Sequence, residues 1–306
     1  DAVGNGSGPN KSIKRFRQAG GQFVLFHSIF TLLLSPKKNN RNHRKIAVID
    51  GVIGYCGGFN IGDEYLGKGK FGYWRDTAVR VEGAAVDALC FRFTLDWTYA
   101  TRTQLDKEDL MAHFRESIFE VNGDQGIQVV SGGPDTPRNN PVRMQYLEMF
   151  RAAKRTLYIH TPYLVPNDSI NDSLKLAAAN GVDVRIIIPD KPDHPFVYWN
   201  NISAANDLMK SGVRVYQYNR GFVHSKTVVV DGKYSSVGSA NMDDRSLVLN
   251  FETNCMIYSE ETGRRMEEAF LEDLEYCTEY SCEEYAKRSA SAKFKIGISR
   301  LFRTLA

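Results

Sequence analysis

No apolar run in the chain approaches the roughly 18 residues that a membrane-crossing helix needs. The longest candidate, FVLFHSIFTLLL from Phe23 to Leu34, is too short and carries His27. The five cysteines, at 56, 90, 255, 277 and 282, form no Cys-x-x-Cys pair and no metal-type Cys/His spacing, and their number is odd. Reduced thiols in a cytoplasm-facing protein are the expectation. The chain opens at Asp1 with neither Met nor a signal-peptide pattern, which suggests a fragment. A net charge of +3 is too small to announce a nucleic-acid binder. What remains is ordinary for a soluble globular protein: 306 residues, 42% apolar and 25% charged, enough for one large or two modest domains.

An internal repeat organises these residues. NHRKIAVIDGVIGYCGGFNIGDE around His43 aligns with VHSKTVVVDGKYSSVGSANMDDR around His224, pairing His43, Lys45, Asp50, Gly51, Gly57 and Asn60 with His224, Lys226, Asp231, Gly232, Gly238 and Asn241 at a constant offset of 181 residues. That period is too long for a solenoid and suits two copies of a domain. Each copy runs from a β-branched strand through Asp-Gly into a second strand, a strong hairpin signal. Upstream of the second copy, strand-like and helix-like segments alternate, which predicts an α/β sheet with helices covering buried strands. A Gly-, Pro- and Asn-rich stretch between 122 and 141 places the boundary near Gly126, giving a first half of 1–125 and a second of 126–306.

On a strand, residues i and i+2 share a face, so His43 points with Lys45, and His224 with Lys226. An ammonium beside an imidazole supplies fixed positive charge for an anion that the histidine attacks, and Asn60, Ser239 and Asn241 offer hydrogen bonds to anionic oxygens. The natural electrophile is a phosphate. A single histidine at a strand end is usually structural, but packing alone gives no reason to keep the polar members of two copies while their apolar neighbours vary. Asp50 and Asp231 complete the motifs and close their strands at Asp-Gly turns, where a role toward local basic or backbone groups is expected over proton transfer.

Duplicated HxKxxxxD motifs with a following G[GS]xN resemble the phospholipase D superfamily. Within it, NHRKIAVIDG, GGFNIGDEYLG, WRDTAVRVEG, TPYLVP, IIIPDKPDHPFVYW and GSANMDDRS followed by LNFE are similar to bacterial cardiolipin synthases, along nearly the whole chain. The resemblance implies two similar halves, each a mixed sheet flanked by helices, with the active site at their interface. It implies covalent catalysis without metal or other cofactor: one histidine attacks phosphorus while the other protonates the leaving alcohol and later deprotonates the acceptor. The sequence does not choose between His43 and His224 as nucleophile; the working expectation is His43. Asp76, in WRDT, and Glu252, in NFET, match family acids that orient the histidines.

The implied reaction is phosphatidyl transfer between two phosphatidylglycerol molecules at a bacterial cell membrane, with the catalytic region facing the cytoplasm, no nucleic-acid partner and amino-terminal hydrophobic helices missing from this chain. Two rivals use the same residues: a phosphodiesterase with water as acceptor, acting on phospholipid or nucleic acid, and a catalytically dead lipid-binding module. Of the remaining residues, His160, Tyr163 and His194 are candidates near the pocket, and His27 and His113 are expected to be incidental. Trp74, Tyr198 and Trp199 are either core or a lipid entry. The tail SAKFKIGISRLFRTLA sets Phe294, Ile298, Leu301 and Leu305 on one helical stripe among basic residues, suiting either an anionic membrane surface or packing on its own domain.

Overall fold

The computed structural model describes residues 10–27, 40–104, 123–136 and 139–301. Residues 28–39, most of the Phe23–Leu34 run, lie outside them, as do His113 and Leu305. The chain divides into two compact units: Asp1–Asn42, Ile46–Gly54 and Val81–Gly123 form one, and His43–Lys45, Tyr55–Arg80 and Asp124–Ala306 the other. Among the described residues no helix is long and apolar enough to cross a membrane.

In the first unit, the strand Ile46–Ile49 turns through Asp50 and Gly51 toward Ile53, and the helix Ala84–Thr101 buries Val86 and Leu89. Gly54 lets this helix close in, since a Cβ there would meet the Leu89 side chain at 2.8 Å. His27, expected to be incidental, is buried, with Nδ1 3.2 Å from the Asn40 carbonyl and Nε2 3.3 Å from the Tyr99 hydroxyl.

The second unit is built on a mixed sheet. Its strands are β1 (Gly126–Gly132), β2 (Thr156–His160), β3 (Asp183–Pro189), β4 (Arg214–Tyr218), β5 (Thr227–Val230), β6 (Tyr234–Gly238), β7 (Asn250–Tyr258) and β8 (Cys277–Tyr280), in the order β1-β7-β6-β5-β2-β3-β4-β8. The central β2, β3 and β4 are parallel, joined by helical crossovers, and every other pairing is antiparallel. Period-two alternation explains why both faces are apolar. Leu157, Ile159, Val184, Ile186, Ile188, Val228 and Val230 pack with α1 (Pro141–Ala152), α2 (Asp168–Ala179) and α3 (Pro195–Met209). Tyr158, Ile187, Tyr216, Tyr218 and Val229 pack with Phe270 of α4 (Glu260–Leu274). The mixed α/β sheet flanked by helices is the fold class that the sequence led us to expect.

The carboxy-terminal helix α5 (Ala290–Leu301) packs on its own unit by a different edge from the expected stripe: Ile296 and Ser299 are buried, and Arg300 donates to the Ser203 hydroxyl of α3 at 2.6 Å. Phe294 and Leu301 stay exposed. Trp199 lies beneath Arg288 and Lys295, 5.8 and 5.6 Å from their charged groups, so it serves this docking.

Both Asp-Gly signals become turns with two successive left-handed residues, Asp50 (φ 52°) with Gly51 (φ 68°) and Asp231 (φ 54°) with Gly232 (φ 65°). The Asp231 carboxylate accepts from the backbone N–H groups of Lys154, Arg155 and Thr156 at 3.0, 2.7 and 2.9 Å. It pins the entry of β2 against the end of β5, so its work is done at the end of β5 remote from His224. Asp231→Gly keeps the turn's φ but deletes these acceptors. It is expected to lower unfolding free energy by about 1–3 kcal/mol in urea titration, and an unchanged midpoint would refute this assignment.

Candidate active site

All four motif cations and imidazoles lie in the second unit, which takes in His43–Lys45 beside the later residues. The His224 backbone N–H donates to the Arg75 carbonyl at 2.7 Å, and the His43 N–H donates to the Phe251 carbonyl at 2.9 Å. Arg75 and Phe251 immediately precede Asp76 and Glu252. That pairing delivers each acid to a histidine, and it does so crosswise. His43 Nδ1 lies 2.9 and 3.0 Å from the two oxygens of Glu252, and His224 Nδ1 lies 2.7 Å from Asp76 Oδ2. The acid that follows each motif thus serves the histidine of the other. With Nδ1–H given to a carboxylate, Nε2 of each ring keeps its lone pair for chemistry.

The lysines repeat this symmetry, Lys45 Nζ donating to the His43 carbonyl at 2.7 Å and Lys226 Nζ to the His224 carbonyl at 2.5 Å. Lys226 Nζ also lies 3.0 Å from His224 Nε2. The charges form one cluster, because Lys226 acts on His43 and Lys45 acts on His224. Burial, followed by Lys226, pushes His224 down to about 3, and the Asp76 contacts offset only part of this. Burial also lowers His43, against the pull of Glu252. Lys45 is pushed down to about 7 and Lys226 to about 8, in both cases mainly by burial. Burial pushes Glu252 up, but His43, Lys45 and Ser239 outweigh it and hold the carboxyl below its ordinary range.

The other anticipated residues separate. Ser239 directs its hydroxyl to Glu252 Oε2 at 2.5 Å. Asn241 is buried, its N–H donating to the Ser246 hydroxyl at 3.2 Å while its Oδ1 meets no partner among the described residues. Asn60 and Asp50 are exposed, and Asp231 is committed to the 154–156 backbone. His160, in a buried network, places Nδ1 2.8 Å from the Thr227 hydroxyl and Nε2 3.1 Å from Asp273. Tyr163 donates to Asp193 in a very short contact, and His194 is exposed.

Sequence reasoning missed several contributors. The Tyr65 hydroxyl sits 2.9 Å from His224 Nδ1 and 3.2 Å from Asp76 Oδ2, to which it donates. The Arg75 guanidinium donates to the Asp76 carbonyl at 2.7 Å and is held by Asp273 at 2.9 Å, while Arg44 Nε donates to the Glu252 carbonyl at 3.2 Å. Asp243, in the short strand Met242–Asp243, is buried and pushed up to about 7 by that burial. The acids Asp76 and Glu252, by contrast, were anticipated; each is followed by Thr, 33 and 28 residues after its motif histidine.

Two imidazole–carboxylate pairs crossed between the copies of one repeat, beside the buried Lys226 and the half-buried Lys45, define the candidate site. The chain is similar to proteins that carry a PLD-like domain. The family described as "Cardiolipin synthase, PLD-like domain" matches residues 146–274. Over 303 residues, 98% of the chain, it is 48% identical to cardiolipin synthase 2 of Staphylococcus epidermidis and 47% identical to a cardiolipin synthase of Staphylococcus aureus. It spans about three fifths of those relatives, 61% and 60% of their lengths. Its fold is similar to that of phosphatidylserine synthase from Haemophilus influenzae, with a TM-score of 0.64 at 15% identity over 87% of this chain and 69% of that one.

The depressed histidine makes a stability prediction. His224 titrates at about 3 in the fold against 6.5 when unfolded. Between these values the unfolded chain binds a proton that the folded one does not, so stability present above pH 6.5 is lost as pH falls. The urea midpoint is expected to drop from about pH 7 to about pH 5, and His224→Gln is expected to flatten that drop. Equal pH dependence in wild type and variant would contradict the buried neutral imidazole.

Proposed function

We propose that the chain transfers a phosphatidyl group from one phosphatidylglycerol to a hydroxyl of another, yielding cardiolipin and glycerol at the surface of a bacterial membrane. The observation that carries this reading is the crossed site: two imidazoles with Nδ1 held by carboxylates, gathered with the Lys45 and Lys226 ammonium groups in a chain similar to proteins named cardiolipin synthase. A phosphodiester anion set among these groups meets Lys45 and Lys226 as counter-charges. We place Asn241 beside the substrate, where its buried Oδ1, without a partner among the described residues, can accept from the glycerol hydroxyl. We assign attack to His43, whose side chain is 27% exposed against 8% for His224.

In the first step His43 Nε2 forms a bond to phosphorus, the bond from phosphorus to the glycerol oxygen breaks, and His224 gives that oxygen a proton. In the second, His224 removes the proton from the hydroxyl of another phosphatidylglycerol, whose oxygen displaces His43. His224 must gain a proton before it can give one, and the anion's charge favours this by offsetting the lysines that hold the imidazole neutral. Tyr65 and Asp76 keep the ring aligned through both steps. The two histidine half-sites, one from each proposed half of the chain, act as one unit.

The test is turnover on phosphatidylglycerol vesicles with product analysis. Wild type is expected to release glycerol and form cardiolipin, and His43→Ala or His224→Ala is expected to lose on the order of a thousandfold or more. Because the acids are crossed, Asp76→Ala should reproduce the defect of His224→Ala, and Glu252→Ala that of His43→Ala. Phosphohistidine trapped at position 224 would reverse the assigned roles. Phosphatidic acid as the sole product would make water the acceptor, and no turnover at all would remove the reading.

A further inference from the structure

The segment Phe59–Tyr73 reaches the candidate site with one face and shows solvent an unusually apolar other face. Its inner face holds Tyr65, on the short 3-10 helix Asp63–Leu66, in contact with His224 and Asp76. Its outer face carries Ile61, fully exposed at 109%, Leu66 at 69%, Tyr73 at 50% and Phe59 at 45%. The 3-10 helix ends at Gly67 (φ 71°), and the Phe59 ring packs against Tyr65 in a tilted contact at 5.2 Å, so the outward apolar side chains and the inward hydroxyl belong to one small ordered element. Exposed Lys68 and Lys70 follow, and Arg220 lies over the Tyr73 ring at 5.1 Å. Asp63 and Glu64 are the acids of the same segment, with Glu64 folded back toward Gly62.

We propose that this segment is the lipid-docking element of the chain, entering the headgroup boundary of an anionic bilayer with Ile61, Leu66, Phe59 and Tyr73 while Lys68, Lys70 and Arg220 face the lipid phosphates. The proposal rests on the phospholipid reading of the site. A scissile phosphate lies at headgroup depth, whereas the histidines that must reach it are sunk into the protein. The rim of the site must therefore sit at that depth, and side chains at the rim gain by being apolar. Large exposed apolar residues clustered beside a site are a recognised mark of such surfaces. Since Tyr65 sits between the docked face and His224, the bilayer also steadies the hydroxyl that supports the catalytic pair.

The test uses the 306-residue chain with sedimentable vesicles of phosphatidylglycerol, or of phosphatidylcholine, with Ile61→Ser/Leu66→Ser compared against Phe294→Ser/Leu301→Ser on the carboxy-terminal helix. The segment variant is expected to bind phosphatidylglycerol vesicles at least about tenfold more weakly, to lose vesicle turnover in step, and to act within about twofold of wild type on a dispersed short-chain phosphatidylglycerol. Lys68→Gln/Lys70→Gln is expected to reduce the preference for phosphatidylglycerol over phosphatidylcholine. In Ile61→Trp, which keeps a large and mostly apolar side chain, vesicles are expected to shift the emission of the added indole to the blue relative to wild type. Binding equal to wild type in the segment variant, no emission shift, or loss of binding only in the Phe294/Leu301 variant would each overturn the proposal. Binding is read without turnover, so vesicle docking through the segment with no cardiolipin formed would sink the activity and leave the docking surface standing.

Discussion

Everything in the second unit's site depends on the two crossed imidazole–carboxylate contacts. A histidine and the acid that follows its own motif are close in sequence, yet the fold pairs each ring with the acid of the other copy, 209 residues away for His43 and 148 for His224. Neither copy holds a complete half-site, so the tautomer of each ring requires both copies to be folded together. The backbone enforces the crossing: each histidine's N–H is bound to the carbonyl just before the acid it will receive. A guanidinium supports each acid's own carbonyl, Arg75 from the acid's strand in one case and Arg44 from the histidine's side in the other. The same need is met from opposite sides of the pairing.

Such a cluster is expensive in isolation. Two ammonium groups, two carboxylates and two imidazoles share a space poor in water, and burial pulls both lysines toward neutrality. The carboxylates offset part of this, and the sheet, apolar on both faces, supplies the rigidity that keeps the groups from relaxing apart. Lysines held near pH 7 and 8 are poised so that an arriving anion fixes them in the charged form, and their protons are drawn in as it binds. The site is thereby most stable when an anion completes it.

The sheet was legible because its signals are local. β-Branched runs such as IAVI and TVVV, and Asp-Gly turns that tolerate two positive φ values, state strand and hairpin within ten residues. The histidines and lysines were legible because the repeat marks them twice. Tyr65 was not, since it has no counterpart in the second copy and reaches His224 across 159 residues. Arg44 and Arg75 were hidden for a related reason: at the repeat's offset their counterparts are Ser225 and Met256, so the repeat scores them as mismatches although they do equivalent work. Asp243 sits in a recognised stretch, but only its fuller burial distinguishes it from the half-buried Asp244 beside it. Contact geometry also takes residues 43–45 and 55–80 from the first repeat into the unit of the second, a division with no trace in composition.

The two half-sites are alike in plan and unlike in support. Ser239 gives its hydroxyl to Glu252, and its counterpart in the first copy is Gly58. Serine could not stand there, because a Cβ on Gly58 would lie 2.2 Å from Asp76 Oδ1. The missing hydroxyl is supplied instead by Tyr65, from a segment whose opposite face is apolar and open to solvent. Glu252 is thus supported by a residue fixed in the sheet, at the end of β6, and Asp76 by a residue on a peripheral turn. Any force on that turn is felt first by Asp76 and His224, while His43 and Glu252 keep their geometry. The asymmetry of the pair comes down to this one substitution of glycine for serine, which left room for a carboxylate and moved its hydrogen-bond donor to the rim.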